Sequence, residues 1–331
     1  MKSRSRFGET TFENCVTFMV DGEENFRLKY QKMSEAKSSI YIANYDLDPD
    51  LQLIRGDAII PKPQSFQNSL VASSCRSESL TPNVDIITGS SYDNLHDGYY
   101  YKKNDTLESL LLQKAKQKVH IKIIVWEPRP IIRILPGNKK RGLEGRHKKL
   151  QVIKEAAKRF GIEDYITIRL DSNAPTSGFH EKIMIIDNQI GFCGGQDLSL
   201  GKWDTSNHDF DNPLRDAGRE EPWHDIQVMV RGPVVWDLIY LFNQRWVYSI
   251  WKDATQVKEI VKPNSIGSYL SSTSFSAPLS FSYKGDVEIT ALQTWKQLSE
   301  SNNELNYCGS SSQGSNSIRA WCLGMQKIVY T

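Results

Sequence analysis

Residues 179–197 read F-H-E-K-I-M-I-I-D-N-Q-I-G-F-C-G-G-Q-D and hold the side chains with the most evident chemical use. His180 and Lys182 stand two apart. Along an extended strand such residues project from one face, so an imidazole and an ammonium would be presented together. That pairing suits attack on phosphorus. A neutral imidazole serves as nucleophile or general base near pH 7. The ammonium neutralises the charge that builds on the phosphoryl oxygens. A strand edge carrying His and Lys into solvent would have the same composition, but the adjoining Gly194-Gly195 and the polar pair Gln196 and Asp197 favour a site.

The elements that must position this pair follow from the pattern around it. Phe179 to Ile186 begins with alternation and ends as four consecutive apolar residues, a strand entering a core. Asp187-Asn188-Gln189 is a turn signal, and Ile190 to Cys193 reads as the returning strand of a hairpin. In that register Lys182 lies opposite Gly194 and His180 opposite Gln196. The two glycines would leave an open floor where a substrate oxygen could approach backbone. Asp197 returns toward the histidine, which suits an electrostatic or hydrogen-bonding role. Asp187 lies five residues beyond Lys182, roughly 16 Å along a strand, and should not touch the same phosphate. Fixing the turn, or pairing with a basic group elsewhere, fits it better. The candidate set is therefore His180, Lys182, Asp187 and Asp197.

The chain has 331 residues, 39% hydrophobic and 24% charged, enough for one large or two smaller domains. A formal charge of +2 argues against a strongly basic nucleic-acid binder. No apolar run reaches the ~18 residues of a membrane span, and no apolar signal region follows the charged first ten residues. Cys15, Cys75, Cys193, Cys308 and Cys322 are scattered. Their odd count and lack of close pairs speak against a disulfide framework or a cysteine metal site, and predict a reducing compartment.

Strand signals at 15–20, 38–45, 119–126, 166–170 and 226–230 alternate with helical patterns at about 22–36, 106–116, 141–160 and 234–246. This strand–helix–strand order predicts an α/β fold, a mixed, largely parallel sheet flanked by helices. Residues 1–14 read as a flexible leader, 60–102 as a surface excursion rich in Ser, Asn, Pro and Tyr, and 251–285 as a linker. A helix is expected over 288–298. The closing apolar run makes 286–331 look like the incomplete start of a second lobe. His224 reads as a structural partner at a strand entrance or part of a pocket wall.

His180-x-Lys182-(four residues)-Asp187, followed by Gly194-Gly195-x-Asp197, resembles the H-x-K-x4-D signature of the phospholipase D superfamily. The likeness extends to G-K-W-D-T at 201–205, P-W-H-D at 222–225 and F-N-Q-R-W at 242–246, similar to the eukaryotic phosphatidylcholine-cleaving branch. It covers roughly residues 15–250. The resemblance implies a phospholipase D-like lobe, two of which share a cleft. One histidine becomes phosphohistidine, the other protonates the leaving alcohol and then activates water, two lysines hold the phosphoryl oxygens, and no cofactor is obligatory. One signature is present here. His147-Lys148-Lys149 comes nearest to a second but lies in a helical pattern, while Ser317 to Gly324 resembles the segment that opens a second lobe. Lys202 stands where the family pattern usually has arginine.

The resemblance implies a phosphodiesterase that hydrolyses a phospholipid, phosphatidylcholine foremost, to phosphatidic acid and free headgroup. The partners are then a phospholipid at a membrane surface and a second catalytic lobe from a longer chain, a homodimer or another protein. The expected location is cytoplasmic, peripheral at intracellular membranes. Two alternatives stand beside it: a single-signature dimeric nuclease, against which the modest charge speaks, and an inactive remnant that binds lipid or a partner.

Overall fold

The computed structural model describes residues 10–55, 95–96, 99–100, 106–127, 146–171, 180–216, 223–248, 285–293 and 326–330. In chain order the elements are β1 (Thr10–Val20), α1 (Asp21–Glu35), β2 (Ser39–Asn44), β3 (Leu95–His96), β4 (Tyr99–Tyr100), α2 (Leu107–Lys116), β5 (His120–Trp126) and α3 (Arg146–Phe160). A 3-10 turn (Glu163–Tyr165) then leads to β6 (Ile166–Asp171), β7 (Lys182–Ile186), β8 (Ile190–Gly194), β9 (Ile226–Arg231), α4 (Val235–Tyr248), β10 (Val287–Gln293) and β11 (Gln326–Tyr330). Among the described residues, nine strands form one sheet in the order β11-β10-β1-β9-β8-β7-β2-β5-β6, and β3 pairs with β4 apart from it.

The sheet is mixed and the fold α/β, but its parallel part is confined to β2, β5 and β6. The expectation of a largely parallel sheet is corrected there. β2, β5 and β6 are joined through α2 and α3, the helical crossovers that parallel neighbours require. β7 instead lies antiparallel on the other side of β2, and the β7–β8 hairpin and every pairing beyond it are antiparallel. Asn44 at the C-terminal end of β2 faces Lys182 at the N-terminal end of β7. That pairing brings the two candidate ends of the sheet together.

The period of two in the central strands divides the core. Ile40 and Ile42 face one layer with Phe26, Met33, Leu110, Leu111, Leu150 and Ile153 from α1, α2 and α3. Tyr41 and Ala43 face the other with Leu238, Ile239, Phe242 and Trp246 from α4. β7 follows suit, with Met184 and Ile186 toward α1 and Ile183 and Ile185 toward α4. Each buried Leu or Ile contributes about 1.5–3 kcal/mol of transfer free energy, so a slip of one residue in β7 would exchange both layers.

Other expectations are also corrected. β1 begins at Thr10 and not at Cys15, because Thr10 and Thr11 pair with Thr290 and Ile289 of β10. The helix expected over 288–298 is, through Gln293, the strand β10. Val287, Ile289 and Ala291 alternate into the same core as α4, so β10 extends the first sheet. Cys15 is disulfide-bonded, where the scattered cysteines had spoken against a disulfide framework; Cys193 is free and buried. The excursion at 60–102 (save 95–96 and 99–100), most of the linker at 251–285 and the stretch from Ser317 to Gly324 lie outside the described residues. Among those described, no helix is long and apolar enough to cross a membrane.

Candidate active site

The β7–β8 turn sets the geometry. Asp187 and Asn188 adopt φ of 52° and 56°, the left-handed conformation that Asp and Asn tolerate and that tight hairpins need. Ile183 pairs with Cys193, so Lys182 falls on the Gly194 side, in the register the sequence predicts. The regular strand begins at Lys182, with His180 and Glu181 in the segment leading into it.

Lys182 is clamped. Its ammonium lies 3.1 Å from the Asp197 carboxylate, both side chains buried, and 3.4 Å from the His180 carbonyl. The other Asp197 oxygen accepts from the Asp46 amide at 3.0 Å and the Asn44 side chain at 3.4 Å. A carboxylate fixed by two further donors holds the ammonium in one place. On the opposite face Glu181 receives the Arg245 guanidinium at 2.5 Å, which also reaches Asp171 at 3.3 Å. The tripeptide His180-Glu181-Lys182 is thus pinned from both layers, through Asp197 on one side and through α4 on the other.

The His180 ring is half-buried and packs on Tyr45 at 4.6 Å. Tyr45 stacks on Trp126 at 4.7 Å, and Lys182 lies over the same tyrosine ring at 5.1 Å. Burial first, and then the neighbouring Lys182 charge, hold the imidazole below its ordinary pKa, while Asp197 and Asp225 oppose them. His180 is therefore neutral at physiological pH, the form that can attack or accept a proton. Lys202 joins this field. Burial brings its ammonium down to about 8, and it sits 3.0 Å over the Trp223 ring.

His180, Lys182 and Asp197 are thus brought together, and Asp187 is not. Asp187 stands at the far end of β7, where its carboxylate accepts from the amides of Lys37, Ser38 and Ser39 at 2.7–2.9 Å and from the Ser38 hydroxyl at 2.8 Å. It ties the hairpin turn to the α1–β2 connection, and its candidacy as a catalytic group is corrected to a structural one. The open floor expected over the glycines is also corrected. A Cβ on Gly195 would come within 2.0 Å of the Asp225 carboxylate, and one on Gly194 within 2.5 Å of the Ile226 carbonyl. The glycines make room for the entrance to β9, not for substrate.

Sequence reasoning missed Tyr45, Asn44 and Asp225 as parts of this site. Tyr45 closes the β2 pattern but carries no local signal that it will meet His180. Asp225 is signalled by the unusual run W-H-D before a strand. A second polar cluster lies outside the His180 site. Donor atoms of Asp21, His208 and His224 fall within 4.8 Å of one another and could hold a cation. His208 Nδ1 meets Asp204 at 2.9 Å, which raises the imidazole pKa and turns Nε2 toward Asp21 at 3.4 Å. His224 Nδ1 meets Asp21 at 2.9 Å, the structural role at the strand entrance.

A neutral imidazole and a carboxylate-anchored ammonium thus stand together at one end of a buried hairpin in an α/β lobe, an arrangement suited to attack on phosphorus. Comparison with known families makes this specific. Residues 95–282, more than half of the chain, match the model of the phospholipase D family, and the chain belongs to it. Phospholipase D alpha 1 of Zea mays is 30% identical over 183 residues, covering 43% of this chain and 22% of that protein. Phospholipase D alpha 2 of Arabidopsis thaliana is 29% identical over 224 residues, covering 55% of this chain and 26% of that protein. The chain spans about a quarter of the length of these relatives. Among solved structures, the phospholipase D family member Nuc from Salmonella typhimurium superposes with a TM-score of 0.37 at 15% identity over 72% of this chain and 97% of that one, too loosely to bear on substrate.

Proposed function

We propose that His180 attacks the phosphodiester of a phospholipid, phosphatidylcholine foremost, and releases phosphatidic acid and the free headgroup. The P–N bond to His180 forms as the P–O bond to the headgroup breaks, leaving phosphohistidine. Water then breaks the P–N bond. Lys182, held by Asp197, neutralises the phosphoryl oxygens as charge develops on them. The departing alkoxide needs a proton and the attacking water needs a base. A second imidazole supplies both, from a longer chain, a second copy or another protein. The enzyme would meet its lipid at a membrane surface.

The observation that carries this reading is the 3.1 Å Lys182–Asp197 pair, buried beside a histidine that is held neutral. The likeness to plant phospholipases D supports the lipid substrate. The test is release of choline from phosphatidylcholine vesicles, with ethanol present to capture a transfer product. His180→Ala should abolish both products, and Lys182→Ala should cost about 10²–10³-fold. Retained turnover in His180→Ala removes the nucleophile assignment. Salt-sensitive DNA cleavage with no choline release would move the substrate to nucleic acid.

A further inference from the structure

The chemistry above leaves one buried base unused. Lys29, on α1, is 2% exposed, and among the described residues no hydrogen bond or ion pair engages its ammonium. Asn25 lies one helical turn before it, on the same face. The Asn25 side chain donates to Gln196 at 2.5 Å, while its own oxygen is buried with no partner. The Asn25–Gln196 contact thus sets this stretch of α1 behind the segment that carries Gln196 and Asp197. The charged and titratable groups acting on Lys29 are Asp197, Cys193, Asp225 and Lys182, from the segments around β7, β8 and the start of β9. Two of these four form the ion pair of the active site.

We propose that Lys29 is a positioning residue of the phosphoryl pocket, taking up a proton from solvent when an anionic phosphodiester settles against Lys182. The proposal rests on the phosphodiester reading given above. In the empty pocket Asp197 balances Lys182. A bound phosphodiester adds a negative charge to that pair, and a proton on Lys29 restores the balance from behind. The charged Lys29 also draws on Asp197, which loosens its hold on Lys182 and lets that ammonium follow the phosphoryl oxygens. Burial sets Lys29 up for this work. It brings the ammonium down to about 7, with Asp197 partly opposing and Lys182 reinforcing the fall, so a small change in local charge decides the protonation state. A lysine in open solvent would be charged already and could respond to nothing.

The experiment is a pH titration of the whole chain carrying lysine labelled at Cε, followed by NMR with and without dimethyl phosphate, whose own charge is constant from pH 5 to 9. One lysine should titrate near neutrality and be missing from Lys29→Met, a substitution of matching length that keeps the site filled. Saturating dimethyl phosphate, monitored independently at the His180 ring, should move that midpoint upward by about half a pH unit or more. Binding that leaves the midpoint in place overturns the inference and leaves the phosphodiester reading standing. Failure to bind dimethyl phosphate, or binding that Lys182→Ala does not weaken, overturns that reading and the inference with it.

Discussion

An aspartate stands at each end of β7, Asp197 from the segment after β8 and Asp187 from the hairpin turn, and the two are held in opposite ways. At the N-terminal end Asp197 is buried and faces an ammonium, with an imidazole beside it. At the C-terminal end Asp187 is satisfied by three backbone amides and a serine hydroxyl at the surface. Both carboxylates are fully engaged, yet one fixes a reactive charge and the other fixes a chain turn. Having a partner does not make a carboxylate catalytic; what the partner is presented to does. The spacing H-x-K-x4-D joins a chemical end to a scaffolding end through one core-forming strand.

The largest effect should come from breaking the buried end. Asp197→Ala leaves the Lys182 charge inside the fold without its carboxylate and should cost about 3–5 kcal/mol. Urea unfolding at pH 7 measures it, and a loss under about 1 kcal/mol would mean that the pair is not dry. Lys29→Met should act with opposite sign, because it removes a buried base. The pKa of Lys29 is about 7 in the fold against an ordinary value of 10.5. The unfolded chain thus binds more protons between those limits, and the lysine's penalty is full below about pH 7 and fades as pH rises toward 10.5. The methionine variant should therefore be more stable by several kcal/mol at pH 6 and by little near pH 10. Equal gains at both pH values would show that packing, not charge, is responsible.

A smaller effect sharpens the electrostatics. Lys182 lowers the His180 pKa and Asp197 raises it. In proton NMR of the histidine ring, Lys182→Met should move the His180 midpoint up and Asp197→Asn should move it down. In the wild type, activity that needs the neutral imidazole should be lost as pH falls below the ordinary histidine range. Shifts of one sign in both variants would show that the ring had moved away from the pair.

The hairpin and its chemistry were legible because they are local. Alternation, a turn signal and two residues of spacing lie within twenty positions, and the register predicted for Lys182 and Gly194 is the one found. What was not legible comes from distance. Tyr45 and Asn44 reach the site because β2 lies beside β7, a neighbour relation that no residue near either strand encodes. Parallel order was overread because β7 pairs antiparallel with β2 and does not lie beside β6, and the sequence between β6 and β7 holds no helical pattern that would have signalled the change. Lys29 reads in sequence as the polar side of a helix, and its burial becomes visible once the segment after β8 is laid over α1. In β10 the run V-E-I-T-A-L-Q is short enough to fit either period, and pairing with β1 decides for the strand.

The smallest effect belongs to Asp187, and it separates the two ends of β7 most cleanly. Removing its carboxylate frees three amides and a hydroxyl, but these lie near the surface and water can replace the lost acceptor. Asp187→Ala also places a Cβ residue other than Asp or Asn at a φ of 52°, so the two penalties together should reach about 1–2 kcal/mol. Asp187→Asn keeps the left-handed tolerance and one acceptor oxygen, and should lose about half as much. Both variants, assayed well below their melting temperatures, should release choline at rates within roughly twofold of the parent, since the turn lies about 16 Å along the strand from Lys182. A folded Asp187→Asn that had lost turnover would mean that the α1–β2 connection, which this carboxylate holds, transmits its position through β2 to Asn44 and Tyr45. The scaffolding end would then belong to the reaction after all.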